Sequence, residues 1–191
     1  MNHMARPKSD DKRSAILAAA TRVIVAQGLS APTAGIAKEA GVANGSLFTY
    51  FETKSDLFNA LYLELKIDMA SAAMRDLRKS AALREQLFYV WQNWMNWSLS
   101  FPEKRRALAQ LDASDEITPA TRAAANEAMA GPVELLERVR TTGSLSKSPM
   151  ALVLTLTNSV AEAMMDFVAQ HPANAKKHCR AGFEALWRMV S

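Results

Sequence analysis

The sequence predicts an all-α protein of about nine helices, with an N-terminal three-helix domain and a C-terminal helical bundle. Apolar residues recur every three or four positions along almost the whole chain of 191 residues, which indicates amphipathic helices. Alternating apolar and polar residues, the pattern of half-buried strands, are absent. Glycine and proline interrupt the helical pattern at positions such as Gly28, Gly41 and Pro102, where helices commonly end or begin.

Composition is that of a soluble globular protein. Hydrophobic residues make up 49% of the chain and charged residues 22%, which excludes the intrinsically disordered class. The one cysteine, Cys179, cannot form an internal disulfide. Residues 1–14 lack the apolar core of a signal peptide, and polar residues interrupt the most apolar segment, residues 150–169. We therefore expect a cytoplasmic protein that does not enter a membrane.

The first part of the chain contains four predicted helices. They cover residues 11–27, 32–40, 43–51 and a segment that begins at 53 or 54. Gly28 and Gly41 follow the first two helices at the position where glycine commonly ends a helix. We place a helix-turn-helix domain at residues 1–60, with a linking helix that extends to about residue 75.

The second part, residues 76–191, has longer helices and fewer interruptions. Predicted helices cover residues 82–100, 102–112, 119–141, 149–170 and 172–190. Pro132 is expected to kink the third of these, because proline lacks the N–H that a helix interior uses. The clearest loop is the segment from residue 142 to residue 148.

The segment from Ile36 to Phe51 has the pattern of a helix-turn-helix. Gly41 permits the tight turn between its two short helices, because glycine enters the left-handed region at little cost. The second helix has an outer face without acidic residues, formed by Asn44, Gly45, Ser46, Thr49 and Tyr50. Such a face suits the major groove of DNA, where small and hydrogen-bonding side chains reach bases and phosphates. The net charge of +4 is compatible with a polyanionic partner but does not identify one.

This motif resembles the signature of the TetR family of bacterial transcriptional regulators. The resemblance rests on three segments: Ile36-Ala37-Lys38-Glu39-Ala40-Gly41-Val42, Ser46-Leu47-Phe48-Thr49-Tyr50-Phe51, and Lys54 with Leu57. The resemblance to the family is specific over residues 12 to 65 and weaker in the rest of the chain. Two features depart from the family pattern: Phe48 stands where tyrosine is frequent, and Pro32 stands where threonine is usual.

The resemblance implies a division of roles on the DNA-binding face. Base edges would be contacted by Asn44, Gly45 and Thr49, and phosphates by Thr33, Ser46, Tyr50 and Lys54. Alternatively, the aromatic ring of Tyr50 has a structural role in the fold and does not contact DNA. Four basic residues near the amino terminus could follow the DNA backbone or form a solvated tail; they are Arg6, Lys8, Lys12 and Arg13.

Large aromatic residues crowd the predicted helix 82–100. Trp91, Trp94 and Trp97 lie there with Met95, at spacings that place several of them on one face. Core packing is one interpretation. The other is a pocket for a small hydrophobic or aromatic effector, with Met129 and Met164 as further lining. Candidate polar groups for that pocket are Gln92, Asn96, Asn126, Asn158 and Glu162.

The last two helices are apolar on more than one side, so more than one side must be buried. In the family that this chain resembles, the corresponding helices form a four-helix bundle across a two-fold axis. We therefore expect a homodimer that binds a palindromic double-stranded DNA operator, because one short recognition helix reads few bases. Packing within the subunit alone is the alternative.

Catalytic and metal-binding patterns are absent from the sequence. His171, His178 and Cys179 lack the regular spacing of a metal site, and we find neither a nucleophile motif nor a phosphate loop. We expect no cofactor, no metal and no enzymatic activity. The predicted function is a repressor that a small hydrophobic ligand releases from its operator. Alternatives are a DNA-binding regulator controlled by a protein partner and, more remotely, an enzyme.

Overall fold

The structure, a computed structural model, describes residues 8–140 and 143–191, which contain ten α-helices and no strand. The all-α prediction is confirmed, with one helix more than expected because the predicted helix 119–141 is two helices. In chain order the elements are α1 (Lys8–Gln27), α2 (Thr33–Glu39), α3 (Asn44–Tyr50), α4 (Lys54–Met74), α5 (Leu83–Ser100), α6 (Pro102–Asp112), α7 (Pro119–Ala128), α8 (Ala130–Val139), α9 (Met150–Gln170) and α10 (Ala175–Val190).

The division between α7 and α8 falls at Met129, three residues before the proline that was expected to kink one long helix. Pro132 instead occupies the third position of α8. The N–H groups of a helix's first turn have no partner within the helix, so proline costs little there. The last helix likewise begins at Ala175 rather than Pro172, after Asn174 in a left-handed conformation with φ of 70°.

The chain forms two compact units that are not contiguous in sequence. The first comprises the residues up to Lys66 together with Pro102–Ala125, and the second comprises Ile67–Phe101 and Asn126–Ser191. The segment Pro102–Ala125, which the sequence suggested as part of the C-terminal domain, thus packs with the helix-turn-helix region. The assignment of DNA binding to one domain and ligand binding to the other stays a prediction.

The first unit is built around α1, which packs against α2 and α6. Ile16, Ala20 and Ile24 are fully buried and lie on one face of α1 at helical spacing. From α6, Ala107, Leu108 and Leu111 are buried. Helix α6 therefore contributes to the core that supports the helix-turn-helix, a contribution that no local sequence pattern shows.

Polar contacts attach the end of α6 and the following loop to α4. The hydroxyl of Tyr62 donates to the Asp112 carboxylate at 2.7 Å, and the Lys66 ammonium lies 3.2 Å from the same oxygen. The Asn59 side chain donates to the Glu116 carbonyl at 2.8 Å. Burial raises the pKa of Asp112, but the hydrogen bond from Tyr62 and the charge of Lys66 outweigh burial, so the pKa is lowered overall.

The second unit has a core that includes Trp91, Met95 and Phe183, each at most 2% exposed. Helices α5, α8, α9 and α10 pack around this core. Among the described helices, α9 is long and apolar enough to cross a bilayer by length and composition. Core helices of soluble proteins meet the same criterion, and Val153, Ala161, Met165 and Val168 of α9 are buried inside the unit.

Candidate nucleic-acid interface and ligand cavity

Helices α2 and α3 form the predicted helix-turn-helix. The turn contains Gly41 at φ of 68°, the left-handed conformation that glycine adopts most easily. The amide of Gly41 donates to the Lys38 carbonyl at 3.1 Å, and the amide of Val42 donates to the Ala37 carbonyl at 3.0 Å. Ile36 and Leu47 are fully buried, so each helix is held to the core by its inner face.

The outer face of α3 presents the side chains that were predicted to meet DNA. Asn44, Gly45 and Thr49 are exposed, whereas Ser46 and Tyr50 are partly buried. Phe48 is also on this surface and is 40% exposed. Thr33 is the first residue of α2 and is partly buried. The seven predicted DNA-contacting residues thus lie on α2, on α3 and at the start of α4, and the role of each is a proposal.

Helix α4 begins with a capping box formed by Thr53 and Asp56. The Thr53 hydroxyl accepts from the Asp56 amide at 3.0 Å, and the Asp56 carboxylate accepts from the Thr53 amide at 3.0 Å. Lys54, the first residue of α4, lies with its Nζ atom 5.3 Å from the centre of the Phe58 ring. The cap fixes the helix start, and the cation–π contact holds the ammonium group near it.

The basic residues near the amino terminus have different environments. Arg6 and the side chain of Lys8 fall outside the described residues. Lys12 is exposed. The guanidinium of Arg13 lies 3.6 Å from Glu64 and 5.4 Å from the centre of the Phe51 ring. Arg13 therefore connects α1 to Phe51, which follows α3, and to Glu64 of α4. The sequence did not predict these contacts within the protein.

A cavity of about 600 Å³, counted with the space at its mouth, lies within the second unit. Its walls come from α4, α5, α7–α8, α9 and α10, with the following lining residues: Met69, Ala73, Leu87, Val90, Trp91, Trp94, Met129, Pro132, Val133, Leu136, Leu154, Thr157, Asn158 and Leu186.

The cavity includes three of the five residues proposed for a ligand site. Trp91, Trp94 and Met129 line it, whereas Met95 and Met164 do not. Met95 is 1% exposed and belongs to the packed core instead. Met164 packs against α10, where a Cβ atom added to Gly182 would lie 2.5 Å from the Cγ atom of Met164. Of the five candidate polar residues, Asn158 alone is in the lining.

Trp91 forms a rigid part of the cavity wall. Its indole N–H donates to the Cys179 carbonyl at 3.0 Å, so its polar end is paired, and the residue is 2% exposed. Trp94 meets it edge to face, with ring centres 6.4 Å apart. By contrast, the indole N–H of Trp97 donates to the Asp68 carboxylate at 3.0 Å, and Trp97 does not line the cavity. Trp91 and Trp94 therefore fit the interpretation as a pocket, whereas Trp97 fits the interpretation as core packing.

Thr157 is a lining residue that sequence reasoning missed. It is buried on the inner face of α9, four residues after Val153 and four before Ala161. A polar residue at helical spacing between two buried apolar ones was the signal that could have found it. In the described part of the chain, no three His, Cys, Asp or Glu residues are grouped as metal ligands would be.

Within residues 8–140 and 143–191, no other part of the single chain covers one face of α9. Leu152 is 45% exposed and Phe167 43%, and the exposed Ser159 and Ala163 lie between them at helical spacing. Next to α9, α10 exposes Ala181 and Ala185.

Comparison with known proteins also identifies a helix-turn-helix in the first unit. Residues 16–61 match the family described as "Bacterial regulatory proteins, tetR family". The chain is 33% identical over 76 residues to the fatty acid metabolism regulator protein of Bacillus subtilis, a match that covers 39% of each sequence. It is 29% identical over 119 residues to the HTH-type transcriptional regulator AcrR of Shigella flexneri. That match covers 58% of this chain and 52% of the relative.

Solved structures extend the likeness over nearly the whole chain. A putative tetR family transcription regulator from Shewanella sp. PV-4 has a TM-score of 0.83 and 27% identity, covering 92% of this chain and 96% of its own. The regulator FadR of Bacillus subtilis, solved in complex with stearoyl-CoA, shares the fold with a TM-score of 0.69 and 20% identity over 93% of this chain and 97% of its own. These proteins are transcription regulators rather than enzymes. The match over residues 16–61 shows that this segment is a helix-turn-helix of the family described as tetR, and the fold of nearly the whole chain is that of TetR family transcription regulators.

Proposed function

We propose that this regulator is a cytoplasmic, homodimeric repressor that a small hydrophobic or aromatic ligand releases from a palindromic operator. The observation that carries this proposal is the apolar cavity beside Trp91 and Trp94, in a chain whose first unit contains a helix-turn-helix. A concave, mostly apolar lining with a few polar groups is the usual form of a ligand site. FadR, which shares the fold, was solved in complex with stearoyl-CoA, and this supports ligand binding in general but not the chemical class of the ligand.

The DNA-binding step is assigned to α3. Its exposed Asn44 and Thr49 would read base edges in the major groove, and Gly45 allows close approach of the backbone. Ser46, Tyr50, Thr33 and Lys54 would contact phosphates and so fix the position of α3 in the groove. This division separates residues that set affinity for all DNA from residues that choose the sequence.

Ligand control would act through α4, which belongs to both units. Lys54 is its first residue, and Met69 and Ala73, four turns or more further on, are in the cavity wall. A ligand that prefers one position of α4 would shift the population of DNA-binding arrangements. With ~100-fold preference for the non-binding arrangement, the ligand would weaken operator binding by up to about 100-fold.

Tryptophan fluorescence with and without operator DNA tests the ligand-controlled step. We expect hydrophobic aromatic compounds to quench the cavity tryptophans and to bind more weakly when the operator is bound, because coupling between two sites is reciprocal. A gel-shift titration should show that the ligand weakens operator binding by the same factor by which the operator weakens ligand binding. A ligand that binds equally with and without the operator would contradict ligand-controlled release and favour a regulator that is controlled in another way.

Lys54→Ala tests the assignment of phosphate contacts. Each subunit would lose about one phosphate contact, so a dimer would lose about two and the slope of log K against log salt would fall by about 1.8. Preference among DNA sequences should not change. The matched control is Lys147→Ala, at an exposed lysine of the second unit. A changed base preference with an unchanged salt slope in Lys54→Ala would show that Lys54 reads bases instead.

A further inference from the structure

Within the described residues, the cavity lining contains no charged side chain. All its members are apolar or aromatic except Thr157 and Asn158. A carboxylate or an ammonium group placed inside would lose its hydration without gaining an opposite charge, which is strongly unfavourable. The lining therefore selects against charged groups at the inner end of a ligand.

Among the described residues, the hydroxyl of Thr157 is buried without a hydrogen-bond partner. Other hydroxyls on α9 donate to the carbonyl four residues earlier, as Thr155 does to Ala151 and Ser159 does to Thr155, both at 2.9 Å. Thr157 is 9% exposed, so water replaces that bond poorly. A buried hydroxyl without a partner costs free energy that a ligand can recover by pairing with it.

Asn158 supplies the second polar group of the lining. It is exposed, unlike its neighbour Thr157, and so lies where the cavity meets solvent. Its amide can therefore exchange between water and a ligand at little cost. The buried hydroxyl of Thr157 is consequently the group that discriminates among ligands.

We infer that the ligand of this cavity is an uncharged, mostly apolar molecule with one hydroxyl or carbonyl group, which pairs with the Thr157 hydroxyl. The inference rests on the proposed function, because it requires that the cavity beside Trp91 and Trp94 bind a ligand. It names the chemical class of that ligand: phenols, alcohols and ketones of low polarity, rather than carboxylates, amines or pure hydrocarbons.

Three probes of the same shape test this inference by isothermal titration calorimetry of the full chain. They are 4-propylphenol, propylbenzene and 4-propylbenzoate. The phenol should bind about tenfold more tightly than the hydrocarbon, since one hydrogen bond to an otherwise unpaired group is worth about that factor. The benzoate should bind more weakly than either. Equal binding of the three probes would overturn the inference and leave ligand binding by the cavity intact.

Thr157→Val removes the hydroxyl and keeps the shape of the side chain. The phenol should lose about tenfold in affinity and the hydrocarbon none, while the melting temperature of the free protein stays level or rises. Thr157→Ser should keep the preference for the phenol. The control Thr155→Val, at an exposed position two residues away, should keep it too.

A preference for the phenol that survives in Thr157→Val would overturn the assignment of Thr157. Failure of all three probes to bind the unaltered protein would contradict both the inference and the ligand-binding part of the proposed function. If the phenol binds through Thr157 but leaves operator binding unchanged, the inference stands and ligand-controlled release fails.

Discussion

Replacing Leu152 and Ala163 with aspartate is expected to convert the protein into a monomer and to weaken operator binding at least about 100-fold. Both residues lie on the exposed face of α9, an apolar surface that no other described residue of the single chain covers. In a two-fold dimer each substitution would face the partner's copy of the same surface, and buried like charges strongly oppose association. A monomer reads one half-site and loses the contacts of the other.

Sedimentation velocity and gel shifts on the same samples measure both effects. The control is Leu99→Asp, because Leu99 is 38% exposed and belongs to α5 rather than to either of the last two helices. That variant should remain a dimer with normal operator affinity. If the α9 variant were still dimeric at micromolar concentration, the dimer surface would lie elsewhere. If the unaltered protein were monomeric with and without DNA, the homodimer itself would be wrong.

Thr49→Glu is expected to weaken specific operator binding at least about 1,000-fold. The substitution removes a side chain proposed to read bases and places a carboxylate on the face of α3 that is proposed to meet the DNA. A dimer carries the change twice, and like charges across an interface cost several kcal/mol. Because Thr49 is exposed, the stability of the fold should not change.

Gln92→Glu is the matched control for this substitution, since it changes the charge equally at an exposed position of α5. Gln92→Glu should retain operator binding. This result would show that the position of the added charge on α3, and not the change in net charge, weakens DNA binding. Fluorescence anisotropy with labelled operator gives the affinities, and thermal unfolding checks the fold. Operator binding by Thr49→Glu within a few-fold of the unaltered protein would exclude α3 as the recognition helix.

The helix-turn-helix could be predicted from sequence because its determinants are local. Gly41 at a positive φ, with Ile36 and Leu47 as inner-face residues, specifies the turn and the two helices without reference to the rest of the chain. The end of α7 was harder to place. Pro132 is the strongest local signal, but proline is tolerated in a first turn, so the break lies at Met129 instead.

The cavity was only partly predictable because its lining depends on which helices meet. Trp91, Trp94 and Met95 all lie on α5, yet Met95 packs into the core whereas both tryptophans line the cavity. Helical spacing shows which residues share a face, but not what covers that face. The same limit explains why Pro102–Ala125 packs with the first unit, since burial of α6 against α1 is a long-range contact.

Selection of bound sequences from random DNA duplexes tests the central claim most directly. The unaltered protein should enrich a palindrome whose half-sites lie about one helical turn or a multiple of it apart, as two recognition helices in a symmetric dimer require. Asn44→Ala and Thr49→Ala should each change the preferred base at symmetric positions in both half-sites, while Lys54→Ala leaves the motif unchanged. An unenriched pool, or a motif that is indifferent to Asn44 and Thr49, would contradict sequence-specific recognition by α3.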